Sequence, residues 1–271
     1  MSQAFDVVVI GAGPSGYIAA IRAAQLGMRV ACIDAWDKAG KPAPGGTCTN
    51  VGCIPSKALL QSSEHYEHAN KHFADHGIST TGLKMDVSKM IARKDDVVKQ
   101  NNDGILYLFK KNKVTLLNGH GSFAGGGEGA WQVKVGDETV EAKQVVIATG
   151  SRARHLPGVA VDNAMVCDNV GALNIDAVPK KLAIIGAGVI GLEMGSVWSR
   201  LGAEVTIVEA LPDFLSVADA DVAKEAAKVF KKQGLDIQLG VTIGEVKVSK
   251  RGVSVAYADK AGAAQQLDAD R

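Results

Sequence analysis

Cys48 and Cys53 are the side chains best placed to do chemistry, in the stretch Gly45-Gly46-Thr47-Cys48-Thr49-Asn50-Val51-Gly52-Cys53-Ile54-Pro55-Ser56-Lys57. Two thiols this close serve as a structural bridge, as a pair of metal ligands, or as a dithiol that closes and opens reversibly. Redox exchange is the reading adopted here. A regular helix sets side chains five positions apart out of register, so a bridge needs an irregular entry into the helix, and the flanking glycines permit one. Pro55 suits a first helical turn, where a missing amide costs little. Lys57 lies one turn beyond Cys53 on the same helix face. A thiolate gains from helix-start amides and from nearby positive charge. The pair is therefore expected to act asymmetrically, with Cys53 toward a cofactor and Cys48, in the turn, toward an incoming thiol.

The rest of the composition narrows the setting. A chain of 271 residues can bury two domain cores. Its net charge of +1 gives no electrostatic reason to expect a nucleic acid or a membrane as partner. No run approaches the ~20 apolar residues of a membrane span, and no leader-like segment precedes the first apolar run. A cytosolic, reducing setting is expected, where structural bridges are rare and a close cysteine pair is more often catalytic. Cys32 and Cys167 lie in apolar surroundings and read as plain buried thiols.

Residues 5–10 form an apolar run that ends in Gly11-Ala12-Gly13-Pro14-Ser15-Gly16. A helix over 17–26, a strand over 29–33 and then Asp34 complete a dinucleotide fingerprint in its required order. Gly11, Gly13 and Gly16 let backbone approach a pyrophosphate, whose charge meets unpaired amides at the helix start, and Asp34 is placed to accept from the adenosine ribose. Residues 35–44 read as a loop. The cysteine stretch should open a helix running through Lys57 toward residue 75. His65, His68, His72 and His76 recur on it at spacings that could gather imidazoles, but no carboxylate or thiol completes a ligand set, so they read as a solvated stripe and no metal is expected. A second helix is expected over 87–110, a strand over 114–117, and a small antiparallel excursion around 131–135. The chain should then return to the parallel sheet over 144–148, ending in Ala148-Thr149-Gly150-Ser151. His155 follows without an orienting acid nearby in sequence.

The pattern then repeats, with a strand over 181–185, the glycines Gly186, Gly188 and Gly191, a helix over 192–201, a strand over 204–208 and Glu209. Two fingerprints imply two dinucleotides, and around a cysteine pair they imply a redox relay. Glu209-Ala210-Leu211 carries no arginine cluster, which favours NAD over NADP. Glu193, two residues past the last glycine, reads either as an acid favoured by the positive helix end or as one aimed at the nicotinamide side and able to pair with Lys57. A helix over 218–232 and strands over 236–239, 245–249 and 253–257 follow. Residues 259–271 form a hydrophilic end lacking the apolar strand expected to return beneath the nucleotide. The expected class is α/β, two Rossmann-like dinucleotide-binding folds with small antiparallel β excursions, of the three-layer ββα type, with the C-terminal part absent.

With Cys48, Cys53 and Lys57 set between two fingerprints, the chain resembles the pyridine nucleotide-disulfide oxidoreductases over its whole length, a little over half the length usual in that family. Ile54 and Ser56 are similar to the branch that oxidises dihydrolipoamide; glutathione and mercuric reductases tend to have Val at the first position, and glutathione reductases Lys at the second. Thr49 stands where Leu is most familiar. The resemblance implies an FAD-binding domain over 1–150 that carries the redox disulfide, with Asp34 on the ribose, Thr47 and Lys57 near the flavin, and Gly121 and Thr149, Gly150 and Ser151 lining it. It implies an incomplete NAD-binding domain over 151–271, with Glu193 near the nicotinamide, Glu209 on the adenosine ribose and Ile243 flanking the adenine. Dihydrolipoamide carried on lipoyl domains of 2-oxo acid dehydrogenase complexes would attack the Cys48–Cys53 disulfide at Cys48, Cys53 would contact the flavin, and hydride would leave to NAD. The implied homodimer would use a C-terminal dimerisation domain, absent here, so the fragment alone is expected to be inactive. The alternatives are a glutathione- or mercuric-type reductase, or a truncated, non-catalytic nucleotide-binding module.

Overall fold

Residues 4–10 are apolar at every position but Asp6, as a strand reads when both its faces are covered. In the computed structural model, which describes residues 3–271, this run is β1 (Ala4–Ile10). It leads into α1 (Pro14–Gln25) and β2 (Val30–Asp34), which runs parallel to β1 with Val7 opposite Val30 and Ile10 opposite Ile33. A hairpin of β3 (Asp37–Lys38) and β4 (Lys41–Pro42) precedes the short helix α2 (Gly46–Val51) and the long helices α3 (Cys53–Lys71) and α4 (Val87–Lys111). Then come β5 (Thr115–Asn118), β6 (Gly121–Gly125), β7 (Trp131–Val135) and β8 (Glu138–Ile147), which complete a six-stranded sheet in the order β5-β2-β1-β8-β7-β6.

After α5 (Asn169–Ala172), the chain forms β9 (Lys181–Ile185), α6 (Val189–Arg200), β10 (Glu204–Glu209), α7 (Ala220–Lys232) and β11 (Asp236–Leu239). The three strands make a parallel sheet in the order β11-β10-β9. Finally β12 (Thr242–Ser249), β13 (Gly252–Ala258) and β14 (Ala264–Ala269) form an antiparallel sheet. The chain divides into two compact units, one of residues up to Pro55 with Asp95–Arg152, the other of Ser56–Lys94 with Ala153–Arg271. The class is α/β, as the sequence leads one to expect.

In the first unit the two faces of β1 alternate from Val7 to Ile10. Val8 and Ile10 join Ile33, Val133 and Val140 in one cluster, and Val7 and Val9 join Val30, Ile105 and Phe109 in another. In the second unit Ile207 of β10 and Val197 and Trp198 of α6 are fully enclosed. Gly195 allows that helix close to the sheet, since a Cβ there would lie 3.3 Å from both Ile184 Cδ1 and Ile207 Cδ1. Helix α3 is tied to α6 through Arg200, whose Nη1 donates to the Leu60 carbonyl at 3.4 Å and whose Nε lies 3.3 Å from Glu67 Oε2. The Nε contact is one of charge rather than an aligned hydrogen bond.

Four local expectations change. Residues 35–44 are not plain loop but hold the β3–β4 hairpin. The helix from the cysteine stretch is broken at Gly52, stops at Lys71 and is followed by a 3-10 turn over Phe73–His76. The antiparallel excursion and the return strand are not separate, because β8 pairs with β7 on one side and with β1 on the other. No glycine or proline interrupts residues 137–148, so nothing stops the strand between its two roles. The hydrophilic end contains β14, which hydropathy hides because its side chains at 264–266 and 268 are exposed and its pairing is backbone to β13.

Ile207→Ala is expected to destabilise the second unit by about 2–5 kcal/mol, because the surrounding strands cannot collapse into the space. Val248→Ala, at a side chain 51% exposed, should cost no more than about 0.5 kcal/mol. Urea unfolding of both variants gives the comparison, and equal losses would contradict the assigned core.

Candidate functional site

The first glycine turn is shaped by what has no room. A Cβ on Gly11 would strike the Ala148 carbonyl, and one on Gly16 would strike the carbonyl of Gly11 itself. Gly11 also has φ +105°, a conformation that glycine adopts at little cost. Gly13 differs, for it caps α1 without a side-chain partner for the first amides, and only Gly46 Cα, at 3.8 Å, lies near a Cβ placed there. Asp34, at the end of β2, accepts from Ala12 N at 2.5 Å and from Trp36 N at 2.6 Å. Gly121 sits over the strand ends, where a Cβ would come within 3.0 Å of Ile10 Cγ2. Thr47 Oγ1 donates to the Ser151 carbonyl at 3.3 Å, bringing together two sequence-expected site segments.

The cysteine stretch is fastened to that turn. Gly45 N donates to the Ala12 carbonyl at 2.8 Å, and a Cβ on Gly46 would lie 2.8 Å from Gly13 Cα. Cys48 lies on α2 and not in an open turn, whereas Cys53 is the first residue of α3. Between them Gly52 takes φ −142° and ψ −115°. Its missing side chain matters, since a Cβ would be 2.9 Å from the Thr47 carbonyl. Cys53 is exposed and Cys48 half-buried. Two buried amides that motif reading did not single out, Asn50 and Asn102, bond to each other at 3.2 Å and to the carbonyls just before the cysteines. The other cysteines have the wrong surroundings for exchange. Burial, helped by the nearby Asp34 charge, pushes the Cys32 thiol up to about 12, and burial followed by the Asp162 charge raises that of Cys167.

The second unit repeats the first turn at its third glycine and its closing acid, while its first two glycines stand in open space. A Cβ on Gly191 would strike the Gly186 carbonyl, and Gly186 has φ +108°. Gly188 caps α6 without a side-chain partner and has no atom within 4 Å of a Cβ position. Glu209 accepts from Ala187 N at 2.8 Å, as Asp34 does from Ala12, across the same interval of 22 positions in each unit. Its other oxygen accepts from Leu211 N at 2.8 Å. Glu193, just past the first turn of α6, meets Lys57 of α3 with Nζ 2.5 Å from Oε1, a pairing that sequence spacing could not reveal. Ile243 is half-buried against Val208, Val241 and Tyr257.

His155 meets an acid that is not a close neighbour in sequence. Its Nε2 is 3.3 Å from Asp168 Oδ2, thirteen positions on, and Asp168 also caps α5. His65, His68, His72 and His76 are all exposed. Among the described residues no three His, Cys, Asp or Glu side chains gather as a metal site, and no helix is long and apolar enough to cross a membrane.

A glycine turn between strand and helix, closed by an acid at the end of the next strand and present twice, defines a dinucleotide-binding α/β protein, and the cysteine stretch beside one turn adds a thiol chemistry. A profile for the pyridine nucleotide-disulphide oxidoreductases matches residues 5–271, and the chain belongs to that family. It is 60% identical to the dihydrolipoyl dehydrogenase of Cupriavidus necator, covering 100% of this chain and 58% of the relative. It is 45% identical to the mitochondrial dihydrolipoyl dehydrogenase of Pisum sativum, covering 97% and 52%. Among solved structures, LpdA of Mycobacterium tuberculosis superposes with a TM-score of 0.84 at 24% identity, covering 99% of this chain and 57% of that one. The Escherichia coli flavoprotein disulfide reductase RclA does so with a TM-score of 0.76 at 27% identity, covering 99% and 55%. The chain thus spans between half and three-fifths of the length of these proteins.

The two glycines of the second turn should respond differently to a methyl group. Gly191→Ala is expected to cost about 2 kcal/mol or more, because a backbone carbonyl stands in the way, and Gly188→Ala less than about 1 kcal/mol. Thermal or urea unfolding distinguishes them; the reverse order would mean that the turn is built otherwise.

Proposed function

We propose that this chain is the dinucleotide-binding and dithiol-bearing part of a dihydrolipoyl dehydrogenase, which oxidises protein-bound dihydrolipoamide to lipoamide and passes hydride to NAD. The observation that carries the reading is the joining of the cysteine stretch to the first glycine turn through Gly45 N and the Ala12 carbonyl. The 60% identical relative bears that enzyme's name.

Residues 1–150 are assigned FAD and residues 151–271 NAD. The fit rests on the chain's own geometry. Gly188 leaves open space, and Gly13 has only Gly46 Cα, at 3.8 Å, near a Cβ position; each stands at the start of a helix whose first amides have no side-chain cap, which suits a pyrophosphate. Asp34 and Glu209 already each hold two backbone amides, yet a carboxylate offers about four acceptor positions, so ribose hydroxyls can still be accommodated. The carboxylate of Glu209 would repel a 2′-phosphate, which favours NAD over NADP. Thr47, Gly121, Thr149, Gly150 and Ser151 would line the flavin, and Ile243 the adenine. FAD supplies the two-electron acceptor between dithiol and nicotinamide.

The protein groups have separable tasks. Cys48 takes the attack of one substrate thiolate, forming a mixed disulfide and releasing Cys53 as the thiolate. The second substrate thiol then displaces Cys48, so lipoamide leaves oxidised and both cysteines are reduced. Lys57 holds positive charge one helical turn from Cys53, and its bond to Glu193 fixes the direction of both side chains. Gly52 keeps α2 and α3 as separate segments, so that the two sulfurs can approach. Lipoyl domains of 2-oxo acid dehydrogenase complexes, a homodimer of the longer protein and a cytoplasmic setting belong to the same proposal.

Anaerobic titration of the oxidised chain with dihydrolipoamide tests it. Two thiols per chain are expected to appear at Cys48 and Cys53, with one lipoamide formed per chain and none formed by Cys48→Ser. Failure of these cysteines to react, or an undiminished yield from Cys48→Ser, would sink the assignment. In parallel, Gly188→Ala, folded, should bind NADH at least about tenfold more weakly, since its methyl group occupies the approach to the helix amides; unchanged binding would place the nucleotide elsewhere.

A further inference from the structure

Asn50 lies between the two cysteines and is only 6% exposed. Its Nδ2 donates to the Ala43 carbonyl at 3.0 Å and to the Gly46 carbonyl at 3.1 Å. Asn102 on α4, 5% exposed, donates from its own Nδ2 to the Pro44 carbonyl at 2.7 Å and to Asn50 Oδ1 at 3.2 Å. Two buried amide groups thus serve three carbonyls of the four-residue approach to the cysteines, and each other. Helix α2 has six residues, far below the length at which a helix holds itself in water, so its placement depends on such tertiary bonds. A buried carbonyl must be paired with a donor, and Ala43 and Pro44, both buried, take theirs from these two side chains.

We propose that Asn102 is a positioning residue for the Cys48–Cys53 couple. Through Asn50 it holds α2 in place and so favours closure of the disulfide. The inference rests on the reading of these cysteines as a redox pair. Closure joins the two sulfurs, releases two protons and passes two electrons to an oxidised disulfide partner, which becomes two thiols. A disulfide accepts a narrow range of backbone separations, so an α2 free to wander pays more entropy on closing than one held by four hydrogen bonds. Asn102→Asp is the informative change. It keeps the size of the side chain, but a carboxylate only accepts hydrogen bonds, so Pro44 O and Asn50 Oδ1 both lose their donor.

The test equilibrates the full 271-residue chain with mixtures of reduced and oxidised dithiothreitol, traps thiols by alkylation, and measures the Cys48–Cys53 disulfide by peptide mass. Asn102→Asp is expected to shift the equilibrium toward the dithiol tenfold or more, equivalent to about 30 mV. Ser196→Ala is the control for general loosening, because it removes a buried hydroxyl bond to the Leu192 carbonyl in the other unit; it should leave the constant unchanged. If Asn102→Asp does not fold, Asn102→Ser retains a single donor and should give a smaller shift in the same direction. A constant within twofold of the parent chain in a folded Asn102 variant, or a shift toward the disulfide, would overturn the proposal. A parent chain that forms no Cys48–Cys53 disulfide at any mixture would instead remove the redox reading, and the inference with it, before any variant is made.

Discussion

Backbone meets backbone where Gly46 lies against Gly13, and the chemistry of the first unit depends on that contact. A Cβ at Gly46 would have 2.8 Å to Gly13 Cα, so any side chain there would push the cysteine stretch off the glycine turn. The bond from Gly45 N to the Ala12 carbonyl, 2.8 Å long, fixes the same approach. Gly13 could in turn come no closer to the cysteines if its own turn were not closed by Gly11 and Gly16. Steric absence therefore lets the dithiol stand close to the start of α1, and hydrogen bonds hold it there. An apolar seam could not do this, because even the smallest side chains keep two backbones further apart.

The acids at the ends of β2 and β10 have a place in the same logic. Asp34 and Glu209 each draw in the amide of the alanine between two fingerprint glycines, so they hold the turns in shape before any ribose is present. Charge-assisted bonds to backbone amides are among the stronger neutralising contacts available to a carboxylate. The residue that would recognise the sugar is also the residue that shapes the phosphate loop, which couples the two ends of one dinucleotide through a single side chain.

How much of this could be read from the sequence follows from the range of each interaction. Both fingerprints, β9 and β11 to the residue, and the antiparallel strands β7, β12 and β13 are written in local periodicity and glycine spacing, and they were legible. β14 was not, because an edge strand can be built by backbone pairing with polar side chains outward, which leaves no hydropathy signal. The continuous β8 was half legible, since a strand serving two partners has no marker of its own beyond the absence of a breaker. Of the site, the glycines, the acids and the cysteines announced themselves by type and spacing. Asn50 and Asn102 did not, being 52 positions apart and of a type that is ordinary on surfaces. The Asp168 partner of His155 lies thirteen positions away, and an acid followed by a short helix is the local signal for it.

The Lys57–Glu193 pair shows why geometry and energy must be weighed together. The two residues are 136 positions apart and 2.5 Å apart in space, and so close a contact invites a stabilising role. Their exposure argues against it, for the lysine side chain is 61% and the glutamate 26% accessible, and ion pairs in such surroundings are worth about 0–1 kcal/mol. The helices that carry them are already joined at Leu60 and Glu67 through Arg200, so the fold has no need of a further tie at this end. What the pair does supply is direction. Lysine has a long flexible stem that samples many rotamers when unpaired, and a partner carried on α6 selects one of them. The contribution of this pair, one turn along α3 from Cys53, is therefore to orientation more than to stability.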